Sequence, residues 1–92
     1  MSIKIKLFAT LREKAGTKEI NLEAGSIKEA LNQIVEENEE LEEVIFRSQK
    51  REELEESITV IKDGRNIIYL DGLETELDEG DTVSVFPAVG GG

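Results

Sequence analysis

Apolar and polar positions alternate in several stretches of the chain. Ile3, Ile5 and Leu7 alternate with Lys4, Lys6 and Phe8, the period-two pattern of a strand with one buried face. Lys18-Glu19-Ile20-Asn21-Leu22 alternates in the same way, so these two runs predict a hairpin. Their connection is long for a tight turn and holds Gly16 and a helix-like stretch around Leu11-Arg12-Glu13. Thr82 to Phe86 sets Val83 and Val85 on one face, Ser84 and Phe86 on the other, and Pro87 stops the strand.

The period changes after Glu23-Ala24-Gly25. Ile27, Ala30, Leu31, Ile34 and Val35 recur at helical spacing as one apolar stripe. Ser26 and Glu29 ahead of that stripe fit a capping box, which would satisfy two backbone donors at the helix start. Glu36, Glu37, Glu39 and Glu40 gather at the far end, where the helix dipole disfavours negative charge, so the helix should fray there. Leu41, Val44 and Ile45 either extend it or form a second short helix. Residues 47–56 are almost wholly polar, with Leu54 their one large apolar residue, and read as a solvent-facing insertion, partly helical or mobile.

Ile58, Val60 and Lys62 alternate with Thr59 and Ile61 before Asp63-Gly64, a strong hairpin turn signal. Arg65 to Tyr69 should return as a short strand. Turns at Asp71-Gly72 and Glu79-Gly80-Asp81 surround Leu73 and Leu77, which should plug the core. With strand, strand, helix and then further strands, a right-handed crossover sets the last strand parallel to the first. The fold class is therefore α+β: one main helix on one face of a mixed sheet of four to five strands, the β-grasp arrangement, in a single domain over 1–92.

Composition removes whole classes of function. There is no Cys and no His, hence no disulfide framework, no thiolate nucleophile and no imidazole base or ligand. That is strong negative evidence against a self-sufficient hydrolase or a zinc protein. The formal charge of −10, from 21 acidic against 11 basic residues, argues against nucleic acid as a partner. No apolar run is long enough for a membrane span and the start does not read as a signal peptide, so the expected location is cytoplasmic.

What remains is the glycine tail, Gly90-Gly91-Gly92. Such a triplet can be terminal fraying or a cloning remnant. Here it follows a strand and Pro87 directly, so the carboxylate of Gly92 would project from a rigid body on a thin, flexible arm. Glycine suits an arm threaded into another protein's active site, because no side chain blocks a narrow channel. A carboxylate is a poor acyl donor until it is activated, for example as a mixed anhydride with a nucleotide phosphate. By strand parity Phe8 and Phe86 point away from the helix, near one end of the sheet beside that tail. They form either a docking patch or a pair covered by loops. Arg12 and Arg65 are rim residues of such a patch, or plain solvated charges.

Four fragments together resemble a known family, the MoaD-type sulfur carriers of the MoaD/ThiS group, small subunits of molybdopterin synthase. They are Leu7-Phe8-Ala9-Thr10-Leu11-Arg12-Glu13-Lys14-Ala15-Gly16-Thr17, Asp63-Gly64-Arg65-Asn66-Ile67, the stretch from Leu73 to Val83 with Gly80-Asp81, and the closing Phe86-Pro87-Ala88-Val89-Gly90-Gly91-Gly92. The resemblance spans nearly the whole chain and looks most like archaeal members. Ala88 stands where a second proline is usual, and 41–56 is longer than in compact bacterial members. The resemblance implies a ubiquitin-like β-grasp fold with no permanently bound cofactor. It implies that Gly92, with Gly91 keeping the arm slim, is adenylated by a MoeB/ThiF-like activating enzyme using ATP and Mg, and then carries a transient thiocarboxylate. Partner contacts would fall on Phe8, Phe86, Pro87, Arg12 and Arg65. The sulfur would pass to a pterin held by a MoaE-type large subunit, whose lysines do the catalysis. The alternatives are a modifier joined to lysines of target proteins and a sulfur donor for tRNA thiolation. A plain acidic interaction domain working through Phe8 and Phe86 alone is the third reading.

Overall fold

In a computed structural model, which describes residues 1–87, the period-two runs are the strands of a five-stranded mixed sheet. Strand β1 (Ser2–Leu7) is followed by a short helix α1 (Ala9–Ala15), β2 (Glu19–Glu23) and the main helix α2 (Ile27–Glu37). A 3-10 turn (Glu39–Leu41), a single helical turn α3 (Glu42–Ile45), β3 (Thr59–Lys62), β4 (Arg65–Asn66) and β5 (Thr82–Phe86) complete it. The strand order is β2-β1-β5-β3-β4. β1 and β5 lie parallel at the centre, with Ile5 opposite Val83 and Leu7 opposite Val85. β2 and β3 flank them antiparallel.

The alternation decides which face is buried. Ile3, Ile5, Leu7, Val60, Val83 and Val85 point to one side and are buried there against Ile27, Ala30, Leu31, Ile34 and Val35 of α2. Burial of each of these Val, Leu and Ile side chains contributes about 1.5–3 kcal/mol relative to exposure. Ser26 Oγ accepts a hydrogen bond from the Glu29 backbone N–H at 3.2 Å, as the capping pattern requires. The returning arm differs: Glu29 Oε2 accepts from the Gly25 N–H rather than that of Ser26. Residues 75–77 cross this helix end, with the Ile27 N–H bonded to Thr75 O and the Leu77 N–H to Gly25 O.

Two expectations need correction. Residues 47–56 contain no helix; they form a tied loop in which Phe46 bridges to Leu54 and the Glu55 N–H donates to Ile45 O. Arg51 holds it to the helices, bonding Glu42 Oε2 through Nε (2.8 Å) and Nη2 (2.6 Å) and Asn32 Oδ1 through Nη1 (3.2 Å). Polar residues thus face solvent on one side only, while Phe46 is 1% exposed. The strand expected over Arg65–Tyr69 is limited to Arg65 and Asn66, which pair with Lys62 and Ile61. The Asn66 side chain then accepts from the Ile68 N–H, turning 67–69 into a 3-10 turn that buries Ile67.

Candidate functional site

The parallel pairing of β1 with β5 brings the two strand ends together. Phe8 and Phe86 stack there, ring centroids 4.3 Å apart and planes 16° from parallel, and both rings are half-buried. Their face is the one opposite α2. Across it, register aligns Lys6, Ser84, Ile61 and Asn66 in one row and Phe86 with Thr59 in the next. Pro87, also half-buried, follows the stack directly. The chain therefore leaves the sheet beside an apolar, planar surface, and such a pair gives about 0.5–1.5 kcal/mol beyond its buried area.

The backbone that sets Phe8 there is unusual. Phe8 continues the extended conformation of β1 (φ −124°, ψ 153°), and then Ala9 takes φ +52°. The Leu11 N–H closes the turn onto Phe8 O at 3.2 Å, and Leu11 enters the core fully buried. The sequence pattern does not mark Ala9, since alanine inside a helix-like stretch carries no sign of a positive φ.

The other expected residues are distributed as follows. Arg12 is exposed on α1, at the same end of the sheet as the stack. Arg65 is exposed opposite Lys62, which pairs with Val83 rather than Phe86. It therefore lies at the far end of the strands, two strands across, and is not brought to the stack. Gly91 and Gly92 lie outside the described residues. A hollow of about 430 Å³ lined by Ser2, Lys4, Asn21, Glu23 and Thr82 belongs to the far end too.

That far end is held by polar bonds. Lys62 Nζ meets Asp81 Oδ2 at 3.4 Å, with side chains 19% and 11% exposed. The Asp78 N–H donates to Asp81 Oδ2 at 2.7 Å, and the Thr82 N–H to Asp63 Oδ1 at 3.0 Å. Burial pushes the Asp81 carboxyl up, but the Asp78 amide, the Asp63 side chain and Lys62 outweigh it, so it titrates below the ordinary carboxylate value. Among the described residues no group of three or more acidic side chains is arranged to hold a metal ion, and no helix is long and apolar enough to cross a membrane.

The ThiS family matches residues 5–92. This chain belongs to that family. The ThiS-family chain is 35% identical over 98 residues to small archaeal modifier protein 3 of Haloferax volcanii, the match covering the whole of both. It is 37% identical over 95 residues, again over the whole of both, to an Archaeoglobus fulgidus protein described as a candidate sulfur carrier. In three dimensions it superposes on the solution structure of small archaeal modifier protein 1 from Methanosarcina acetivorans with a TM-score of 0.87. That match has 38% identity and covers 99% of this chain and 96% of the other. The ThiS-family assignment and the β2-β1-β5-β3-β4 sheet agree: this is a ubiquitin-like β-grasp protein of the sulfur-carrier and small-modifier type.

Proposed function

We propose that this chain is the protein substrate of an ATP-using activating enzyme, and that Gly92 carries sulfur as a thiocarboxylate for molybdopterin synthesis. The observation behind this reading is the family match running through residue 92, from a sheet whose last strand releases the chain beside the Phe8–Phe86 stack. The chain lacks Cys and His, so the catalytic groups come from the partner.

The chemistry takes two steps. A Gly92 carboxylate oxygen attacks the α-phosphorus of ATP, held with Mg by a MoeB/ThiF-like enzyme, and pyrophosphate leaves. A sulfur nucleophile then attacks the acyl carbon, and AMP departs with the electron pair of the broken C–O bond. Gly91 keeps the approach narrow. The thiocarboxylate next gives its sulfur to a pterin in a MoaE-type large subunit, the carrier remaining non-catalytic throughout, in the cytoplasm.

The modifier names of the Haloferax and Methanosarcina relatives support a second reading. There, a neutral target lysine amine attacks the same acyl carbon, AMP leaves with the electron pair of the broken C–O bond, and the amine gives up a proton to leave an isopeptide bond; a tRNA thiolation enzyme would be a third acceptor. All three share the adenylate. The test is intact-mass measurement after co-expression with the cognate activating enzyme: a gain of about 16 Da, oxygen replaced by sulfur, is expected. No gain with an active enzyme would sink the sulfur reading. Larger conjugates that vanish on deleting Gly91-Gly92 would move the assignment to the modifier.

A further inference from the structure

The turn that follows β1 places an alanine where a glycine would be expected. In a four-residue turn closed by the Leu11 N–H on Phe8 O, Ala9 is the first central residue and has φ +52°. A positive φ at that position belongs to turn types dominated by Gly, Asn and Asp, because a Cβ crowds the backbone there. Strain of this kind persists only where the surroundings over-determine it. The surroundings are visible here. Leu11 on one side is fully buried in the core. Phe8 on the other, one residue past the last core position Leu7, lies flat on Phe86. A right-handed Ala9 closes the same bond as a type I turn but re-aims the chain between Phe8 and Leu11, carrying either Leu11 out of the core or the Phe8 ring off its partner.

We infer that Ala9 is the positioning residue of the partner-docking surface: its left-handed backbone holds Phe8 on Phe86 beside the departing chain. The inference rests on the proposed activation of Gly92, because that reaction supplies the partner. Ala9 touches none of the reacting atoms and acts through Phe8.

The experiment is ATP–pyrophosphate exchange by the cognate activating enzyme, with KM for the full chain and kcat measured separately. The chains are wild type, Ala9→Gly, Ala9→Asn, Ala9→Ser, Ala9→Val, Phe8→Ala and the double variant Ala9→Val/Phe8→Ala. KM should rank by tolerance of the left-handed region. Gly and Asn should stay within about twofold of wild type, Ser should be higher and Val about tenfold higher, all with kcat unchanged. If circular dichroism shows the Val chain unfolded, the ranking of Gly, Asn and Ser decides. In the folded double variant KM should rise no further than in Phe8→Ala, since both changes remove one interaction. NMR ring-current shifts of Phe8 and Phe86 should shrink as KM rises. A KM that ignores the ranking, or additive effects in the double variant, would overturn the role of Ala9 while leaving activation intact. Absence of exchange with the wild-type chain would instead overturn the reading beneath it.

Discussion

The two ends of the central strands are built on opposite principles. Where β5 begins, polar groups bind one another across the strands. Lys62 pairs with Asp81, Asp63 accepts from Thr82, Glu79 accepts from the Ser2 N–H, and the Gly80 N–H bonds Ser2 O. Where β5 stops, an aromatic stack and a strained turn take their place. Polar groups already partnered within the chain have little left to offer another protein, whereas half-buried rings gain by being covered. The first end is a clasp that keeps β1, β3 and β5 in register. The second is, in the reading proposed above, the surface a partner covers, and β5 ends there.

Breaking the aromatic end should therefore cost recognition more than folding. Phe8→Ala with Phe86→Ala is expected to lower kcat/KM for adenylation by about thirtyfold or more, as loss of an interface hot spot worth about 2 kcal/mol implies. Because both rings are only half-buried, the stability loss should be smaller than the 3–5 kcal/mol of a fully buried Phe→Ala. Urea unfolding beside exchange kinetics separates the two effects. If stability collapses and kinetics of the folded fraction do not change, the stack is core and the comparison fails.

Breaking the clasp should do the reverse. Asp81→Asn removes the charge from a carboxylate held by the Asp78 amide and Lys62, and about 1–2 kcal/mol of stability should go with it. Activation of Gly92 should be unaffected. Since folding holds Asp81 below its ordinary value near 3.8, its contribution is fully present above that value. It is lost as pH falls through the lower folded-state value. The stability gap between wild type and Asp81→Asn should hence be constant above about pH 5 and close in stronger acid. A gap that stays constant across that range would show that Asp81 carries no such linkage.

Much of this contrast was legible in the residues themselves. Strict alternation through Ile3-Ile5-Leu7 and Val83-Val85 determines the inner face, so parity alone sends Phe8 and Phe86 outward together. Ser26 and Glu29 mark the helix start because capping is local chemistry. Two kinds of feature escape such reading. The left-handed Ala9 is imposed from outside, by Leu11 and Phe8 pulling opposite ways, and leaves no local trace. Phe46 and Arg51 sit in a charged stretch whose composition suggests solvent. Their burial depends on contacts with Leu54, Asn32 and Glu42, which no periodicity encodes. Arg65 illustrates the converse: it adjoins a clear turn signal, but strand register sends it to the clasp.

The loop 46–57 supplies the finest test, because it feeds β3 at the aromatic end yet carries ion pairs of its own. Arg51 adopts φ +55° and sets its guanidinium 2.6 Å from Glu42, both side chains about three-quarters covered (24% and 26% exposed). Arg47 reaches Glu53 and Glu56, but all three are well exposed, at 51%, 66% and 88%. Solvent and side-chain entropy erode the second set far more than the first. Arg51→Ala should thus cost about 1 kcal/mol, and Arg47→Ala no more than about 0.5 kcal/mol, by urea unfolding at moderate salt. Raising the salt should shrink the Arg47 effect further and leave most of the Arg51 effect. Equal losses would mean that the loop is held by its charges collectively. The asymmetry in exposure makes the Arg51 clamp and the buried Phe46 its anchors.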